Sequence, residues 1–186
     1  MIDRKGWLQL DAPIRVQHRP SPNFNQRPNG ADISLLVIHN ISLPPGCYGG
    51  GFIEQFFQNR LPKDEHPYFA EIAELQVSAH GLIDRSGGFT QFVGFYDRAW
   101  HAGASEYHGR SNCNDFSIGI ELEGCDTEPF SVDQYRCLTW LSRVIMECFP
   151  AISVERIVGH SDIAPGRKTD PGPCFDWVGY RHSLAR

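Results

Sequence analysis

Three residues whose types suit metal chemistry stand in two stretches far apart in the chain. His39 ends the apolar run Leu35-Leu36-Val37-Ile38, His160 follows Val158-Gly159, and Asp170 closes Arg167-Lys168-Thr169-Asp170 ahead of Pro171-Gly172-Pro173. Two neutral imidazoles and a carboxylate are a donor set for catalytic zinc, since three protein ligands leave one coordination position free for water. Zinc held this way brings the pKa of water down to roughly 7 and polarises a carbonyl, so the chemistry in view is hydrolysis. Spacing alone leaves a second reading open. The chain has eight histidines, a strand-terminal histidine can serve simply as a hydrogen-bonded rim residue, and His160 with Asp170 matches no short metal motif of fixed geometry.

Amide hydrolysis also needs a proton carrier and a group to meet the developing oxyanion. In Phe116 to Gly124, Ile118, Ile120 and Leu122 alternate with Gly119, Glu121 and Glu123, a period of two that predicts a strand with one core face and one acidic face. Alternation alone does not choose between Glu121 and Glu123 as the proton carrier. Lys168 stands two residues before Asp170, and in an extended segment both side chains point the same way. Trp100-His101-Ala102-Gly103 combines an aromatic ring, a ring nitrogen and small residues, which suits the wall of a sugar or peptide site. His101 is an alternative metal ligand, and Asn40 and Asn112 are candidate polar contacts to substrate. His80 reads as a structural residue within a strand.

The elements that must position these residues are legible from periodicity. Ile33 to His39 reads as a buried strand and Ile157 to Gly159 as a short one before His160. Residues 11 to 32, rich in Pro, Asn and Arg, read as an extended N-terminal wrap. Phe52, Ile53, Phe56 and Phe57 have helical spacing, stopped at Leu61-Pro62, after a loop marked by Pro44-Pro45-Gly46 and Gly49-Gly50-Gly51. Val77 to Asp84 and Phe89 to Val93 flank Arg85-Ser86-Gly87-Gly88 as a β-hairpin. Ser131 with Gln134 forms a capping box that opens a long helix, with Tyr135, Leu138, Leu141 and Ile145 inward and Pro150 at its close. Strands interspersed with helices predict an α/β (α+β) fold: a single domain, residues 1–186, with a central mixed β-sheet flanked by helices.

Composition narrows the classes. At 186 residues the chain is long enough for one well-filled core. A net charge of −5 argues against a nucleic-acid partner, and no stretch approaches the ~20 apolar residues of a membrane span. The N-terminal residues show no secretory signal pattern, so the expected location is cytoplasmic. The six cysteines contain no Cys-x-x-Cys pair and read as free thiols, mostly buried.

The segments VIHNISLPPG, HPYFAEIAELQVSAHGLI, RAWHAG, CNDFSIGIELEG and GHSDIAPGRKTDPGP resemble, in order and over nearly the whole chain, the AmpD-type anhydro-N-acetylmuramyl-L-alanine amidases of bacterial cell-wall recycling. More broadly the chain is similar to the zinc amidases shared by phage lysozyme-type amidases and peptidoglycan-recognition proteins. The resemblance implies that fold, Zn2+ on His39, His160 and Asp170, Glu121 as the catalytic glutamate, and Lys168 as the oxyanion partner. It further implies a soluble muropeptide as substrate, with β-lactamase regulation as a consequence in some bacteria; a monomer is the expected state. An autolysin acting on intact wall would need export. A binding sensor with dead chemistry typically lacks a ligand or the catalytic acid, and here all five residues are present. The chain departs from the family in carrying Gln76 and Asn112 where relatives commonly have Arg, which bears on recognition of peptide carboxylates.

Overall fold

Leu35–Ile41 and Ser117–Glu123 are the two longest strands among the described residues; the second is buried along its full length, the first along its first five residues. Runs this apolar belong in a parallel sheet covered on both faces. The computed structural model, which describes residues 2–28 and 31–185, pairs them at the centre of such a sheet. In chain order the strands are β1 (Val16–His18), β2 (Phe24–Asn25), β3 (Leu35–Ile41), β4 (Gly81–Ile83), β5 (Phe89–Gln91), β6 (Arg98–Ala99), β7 (Glu106–Tyr107), β8 (Arg110–Ser111), β9 (Ser117–Glu123) and β10 (Ile157–Gly159). The helices are α1 (Phe52–Phe57), α2 (Pro67–Ile72), α3 (Val132–Cys148), α4 (His160–Ile163) and α5 (Trp177–Leu184).

The main sheet has the order β1-β5-β4-β9-β3-β10; β4 and β5 are antiparallel and every other pair is parallel, so the sheet is mixed. Period-two alternation then sorts the side chains. Leu36, Ile38, Ile118, Ile120, Leu122 and Ile157 face α3 and α5 in one apolar cluster with Leu138, Leu141, Ile145 and Tyr180. Each of these aliphatic side chains contributes roughly 1.5–3 kcal/mol by leaving water. Ser131 caps α3, accepting from the Gln134 amide while the Gln134 side chain accepts from the Ser131 amide. The opposite face carries Leu35, Val37, Val158 and Ser117 toward one end and His39, Glu121 and Glu123 further along.

Several expectations change. The acidic face of β9 is itself interior: the second face of the sheet is covered too, and neither Glu121 nor Glu123 is a solvated rim charge. The hairpin is shorter than its apolar pattern, Gly81–Ile83 with Phe89–Gln91, and His80 lies just before β4 rather than within it. The N-terminal wrap is extended, but β1 joins the sheet as an edge beside β5 and β2 pairs with β6; Asn29 and Gly30 lie outside the described residues. Helix α1 ends at Phe57, ahead of Leu61-Pro62, and Tyr135 of α3 is only partly buried. All six cysteines are free, but only Cys113 and Cys137 are buried. Among the described residues no helix is long and apolar enough to cross a membrane.

Candidate active site

β3, β9 and β10 run parallel, and their carboxyl ends open on one cleft, the usual place for a ligand site in such sheets. His39 and Glu121 are register partners on adjacent strands, so their side chains leave the same face side by side. Gly159 pairs with Ile38, which sets His160, the first residue of α4, beside His39. Asp170 comes from the turn after α4, which the Asp170 carbonyl fastens by accepting from the Ser161 amide at 3.0 Å.

The three candidate ligands converge. His39 Nδ1 is 3.0 Å from His160 Nδ1 and 3.0 Å from Asp170 Oδ2, and His160 Nδ1 is 3.1 Å from the same oxygen. The two imidazoles are almost wholly buried. Burial holds the His39 pKa down to about 4, so the ring is neutral at pH 7. Burial alone would raise Asp170, but hydrogen-bonding contact with His160 and His39 outweighs it and holds the carboxyl well below the usual range. His160 Nε2 lies 3.1 Å from the Ala102 carbonyl, which can only accept, and 3.4 Å from the Arg167 guanidinium; the shorter contact favours a neutral ring with its proton on Nε2 and a lone pair on Nδ1. A lone pair 3.1 Å from a carboxylate oxygen repels it unless a cation lies between them. The donor set therefore fits zinc in both atom type and spacing.

On the cavity wall, Glu121 Oε2 is a buried oxygen without a hydrogen-bond partner. Burial, reinforced by the negative charge of Asp170 and opposed by Lys168, pushes its pKa well above the ordinary carboxylate value. Glu123 differs: its Oε1 accepts from the Gly49 amide at 2.6 Å and its Oε2 from the Arg85 amide at 3.1 Å. Lys168 lines the cavity and acts electrostatically on both His39 and Glu121. Its segment is a turn and not a strand, so its inward position comes from the fold of the 164–172 loop rather than from alternation.

The cavity has a volume of about 770 Å³, within the range of small-ligand sites. Asn40, Trp100 and Gln76 line it. Asn40 donates to Asp126 Oδ1 at 2.7 Å and to the Pro171 carbonyl at 3.1 Å, and Trp100 Nε1 donates to Asn25 Oδ1 at 2.7 Å. Two residues expected in the substrate wall are elsewhere. Asn112 is exposed on a left-handed turn with φ 58°, and Ala102 is fully buried behind His160. His101 borders the cavity but packs edge-on against His39, with Nδ1 2.9 Å from His39 Nε2. Burial, with His39 and His80 as neighbours, holds its pKa well below the usual imidazole value. His80 is fully buried, its Nδ1 accepting from the Gly119 amide at 3.0 Å. Asn114, Ser117 and Arg167 also serve the site. Asn114 Oδ1 accepts from the His101 and Ala102 amides at 3.0 and 2.8 Å, and Arg167 donates to the Ala102 carbonyl at 2.6 Å. Ser117 could have been found from sequence, as it shares the period-two face of Gly119 and Glu121; Arg167 had no such signal.

Residues 29–173 match the N-acetylmuramoyl-L-alanine amidase family model. The chain belongs to this amidase family. It is an amidase by that membership, and the fold is that of the family's solved members. It is 58% identical over 164 residues to the 1,6-anhydro-N-acetylmuramyl-L-alanine amidase AmpD of Haemophilus influenzae, covering 88% of this chain and 89% of that protein. A crystal structure of a selenomethionine AmpD derivative superposes with a TM-score of 0.91 at 50% identity, covering 99% of each chain. The amidase AmiD of E. coli, solved with anhydro-N-acetylmuramic acid-L-Ala-D-gamma-Glu-L-Lys, superposes with a TM-score of 0.62 at 29% identity, covering 85% of this chain and 60% of that one.

Proposed function

We propose that this chain is a zinc-dependent anhydro-N-acetylmuramyl-L-alanine amidase that acts on soluble muropeptides in the cytoplasm, as one catalytic domain and as a monomer. The observation that carries the reading is the His39, His160 and Asp170 triangle, with the unpartnered oxygen of Glu121 on the wall of the same cavity. His39 Nδ1, His160 Nδ1 and Asp170 Oδ2 would hold the metal. When bound, zinc supplies Lewis acidity toward the scissile carbonyl and makes water acidic enough to attack near neutral pH.

Glu121 carries the proton. Its burial makes the protonated form accessible, so it takes the proton of the attacking water and delivers it to the departing alanine amine. Lys168 holds positive charge on the same wall, where the tetrahedral oxyanion develops. Asn40, Trp100 and His101 border the space for the sugar and the first peptide residue, and Gln76 presents a neutral amide to the stem peptide. The name and identity of the AmpD relative support the anhydro-sugar substrate and a part in peptidoglycan recycling; regulation of β-lactamase through the muropeptide pool is proposed as a consequence of that substrate.

The test uses purified protein, zinc-loaded or stripped with a chelator, on a soluble anhydro-muropeptide and on intact sacculi, with products read by mass spectrometry. Expected are anhydro-N-acetylmuramic acid and a free stem peptide, loss of activity on stripping, recovery on adding zinc, and slow turnover of sacculi. Elemental analysis should give one zinc per chain, lost in His160→Ala. Zinc retained in His160→Ala, or equal rates on sacculi, overturns the reading.

A further inference from the structure

We infer that His101 is a positioning residue: through a hydrogen-bond chain ending on the main chain it fixes the tautomer of His39, and so sets the affinity of the site for its metal. The inference rests on the zinc reading above. The direction of each proton follows from the end of the chain. Ser117 Oγ lies 2.6 Å from the Cys113 carbonyl oxygen, which only accepts, so the hydroxyl donates its single proton there. His101 Nε2 is 3.0 Å from the same hydroxyl oxygen and must donate to it. A neutral imidazole has one N–H, so His101 Nδ1 offers a lone pair, and His39 Nε2 at 2.9 Å donates into it. His39 Nδ1 is thereby left unprotonated, aimed at Asp170 and His160. The opposite tautomer of His101 would move the His39 proton to Nδ1, where it would block the metal.

Two features show a seat built for this ring. Position 119 on β9 is glycine, and a Cβ there would lie 2.4 Å from His101 Cγ and Nδ1, so any larger residue would displace the imidazole. Asn114 Oδ1 grips the amides of His101 and Ala102 together. That one short segment serves both histidine ligands, the His101 ring holding His39 and the Ala102 carbonyl holding His160. Partners of this kind typically change metal affinity about 10- to 100-fold when removed.

The experiment measures zinc affinity by competition with a chromophoric chelator, with circular dichroism as the check on folding. His101→Phe keeps a ring but accepts nothing, and its affinity should fall about 10- to 100-fold. His101→Asn, whose Oδ1 can take the place of Nδ1, should recover most of that loss, and Ser117→Ala should fall between. A folded His101→Phe that binds zinc as tightly as the parent overturns the proposal. Nitrogen-15 NMR of the parent protein tests it without any variant: His39 should be protonated on Nε2 and His101 on Nε2, and a proton on His39 Nδ1 or His101 Nδ1 overturns it. If the parent binds no zinc, or His160→Ala binds it normally, the zinc reading itself fails, a result distinct from tight binding confined to His101→Phe.

Discussion

The face of the sheet that meets α3 and α5 is lined by Leu36, Ile38, Ile118 and Ile120, whereas the opposite face of the same strands carries His39, Ser117, Glu121 and Glu123. Both faces are covered, so the difference lies in how each group is satisfied. On the apolar face, contact alone suffices. On the polar face each side chain needs a partner, and most have one: Ser117 the Cys113 carbonyl, His39 the His101 ring, Glu123 two backbone amides. Glu121 Oε2 is the exception on β9, left unpartnered where burial is most costly. The first face is held by apolar contact, and the second is set apart by one unpartnered carboxylate oxygen.

The sharpest way to break that contrast is to exchange the two glutamates. Glu121→Gln should keep its zinc and its fold while losing roughly 100- to 10,000-fold in turnover, because a neutral amide carries no proton between water and amine. Glu123→Ala should be milder on turnover and instead cost about 1–3 kcal/mol of stability, since it strips the Gly49 and Arg85 amides of their acceptor. Steady-state kinetics and urea unfolding on both variants decide the matter; inactivity of Glu123→Ala alone would reverse the assignment. On the apolar face, Leu141→Ala should cost about 2–5 kcal/mol with zinc affinity of the folded fraction unchanged.

The smallest effect is a pH slope. Burial, aided by the Arg27 guanidinium, holds the His80 pKa down to about 3, against roughly 6.5 in the unfolded chain. Between those values the unfolded chain binds the proton and the folded one does not. This contribution is fully present above about pH 6.5 and is lost progressively as pH falls toward 3. From pH 7 to pH 6 it amounts to less than about 1 kcal/mol, and His80→Gln should flatten that slope in urea midpoints of metal-free protein.

Local pattern revealed β3, β10 and the capping box of α3, because period and capping are local properties; that His39 and His160 share a site came from the family resemblance, since spacing alone left it open. The pattern could not choose between Glu121 and Glu123. Both sit on one face of β9, and only tertiary packing decides which meets backbone amides and which meets the cleft. It placed His101 and Ala102 together in the substrate wall; His101 does border the cavity, but nothing local says that its ring and the Ala102 carbonyl will also turn toward His39 and His160, residues distant in sequence. Lys168 faces the cavity for a reason other than the one its spacing suggested, as its loop has no strand period. Short elements such as α2 and α5 lack the length for a periodic signal.

The two candidate ligand histidines, His39 and His160, are 121 positions apart and meet because β10 adds to the edge of β3. Closing so long a segment of chain is an entropic debt that no local contact can meet, and contacts of this span form late in folding. During synthesis β3 therefore emerges with its outer edge bare, and its neighbour does not exist until Ile157–Gly159 has been made. A chain interrupted before residue 157 carries His39, Glu121 and most of the apolar layer, yet has no place for a metal. The triangle of His39, His160 and Asp170 is thus completed only from β10 onward, long after the strand it joins has been made.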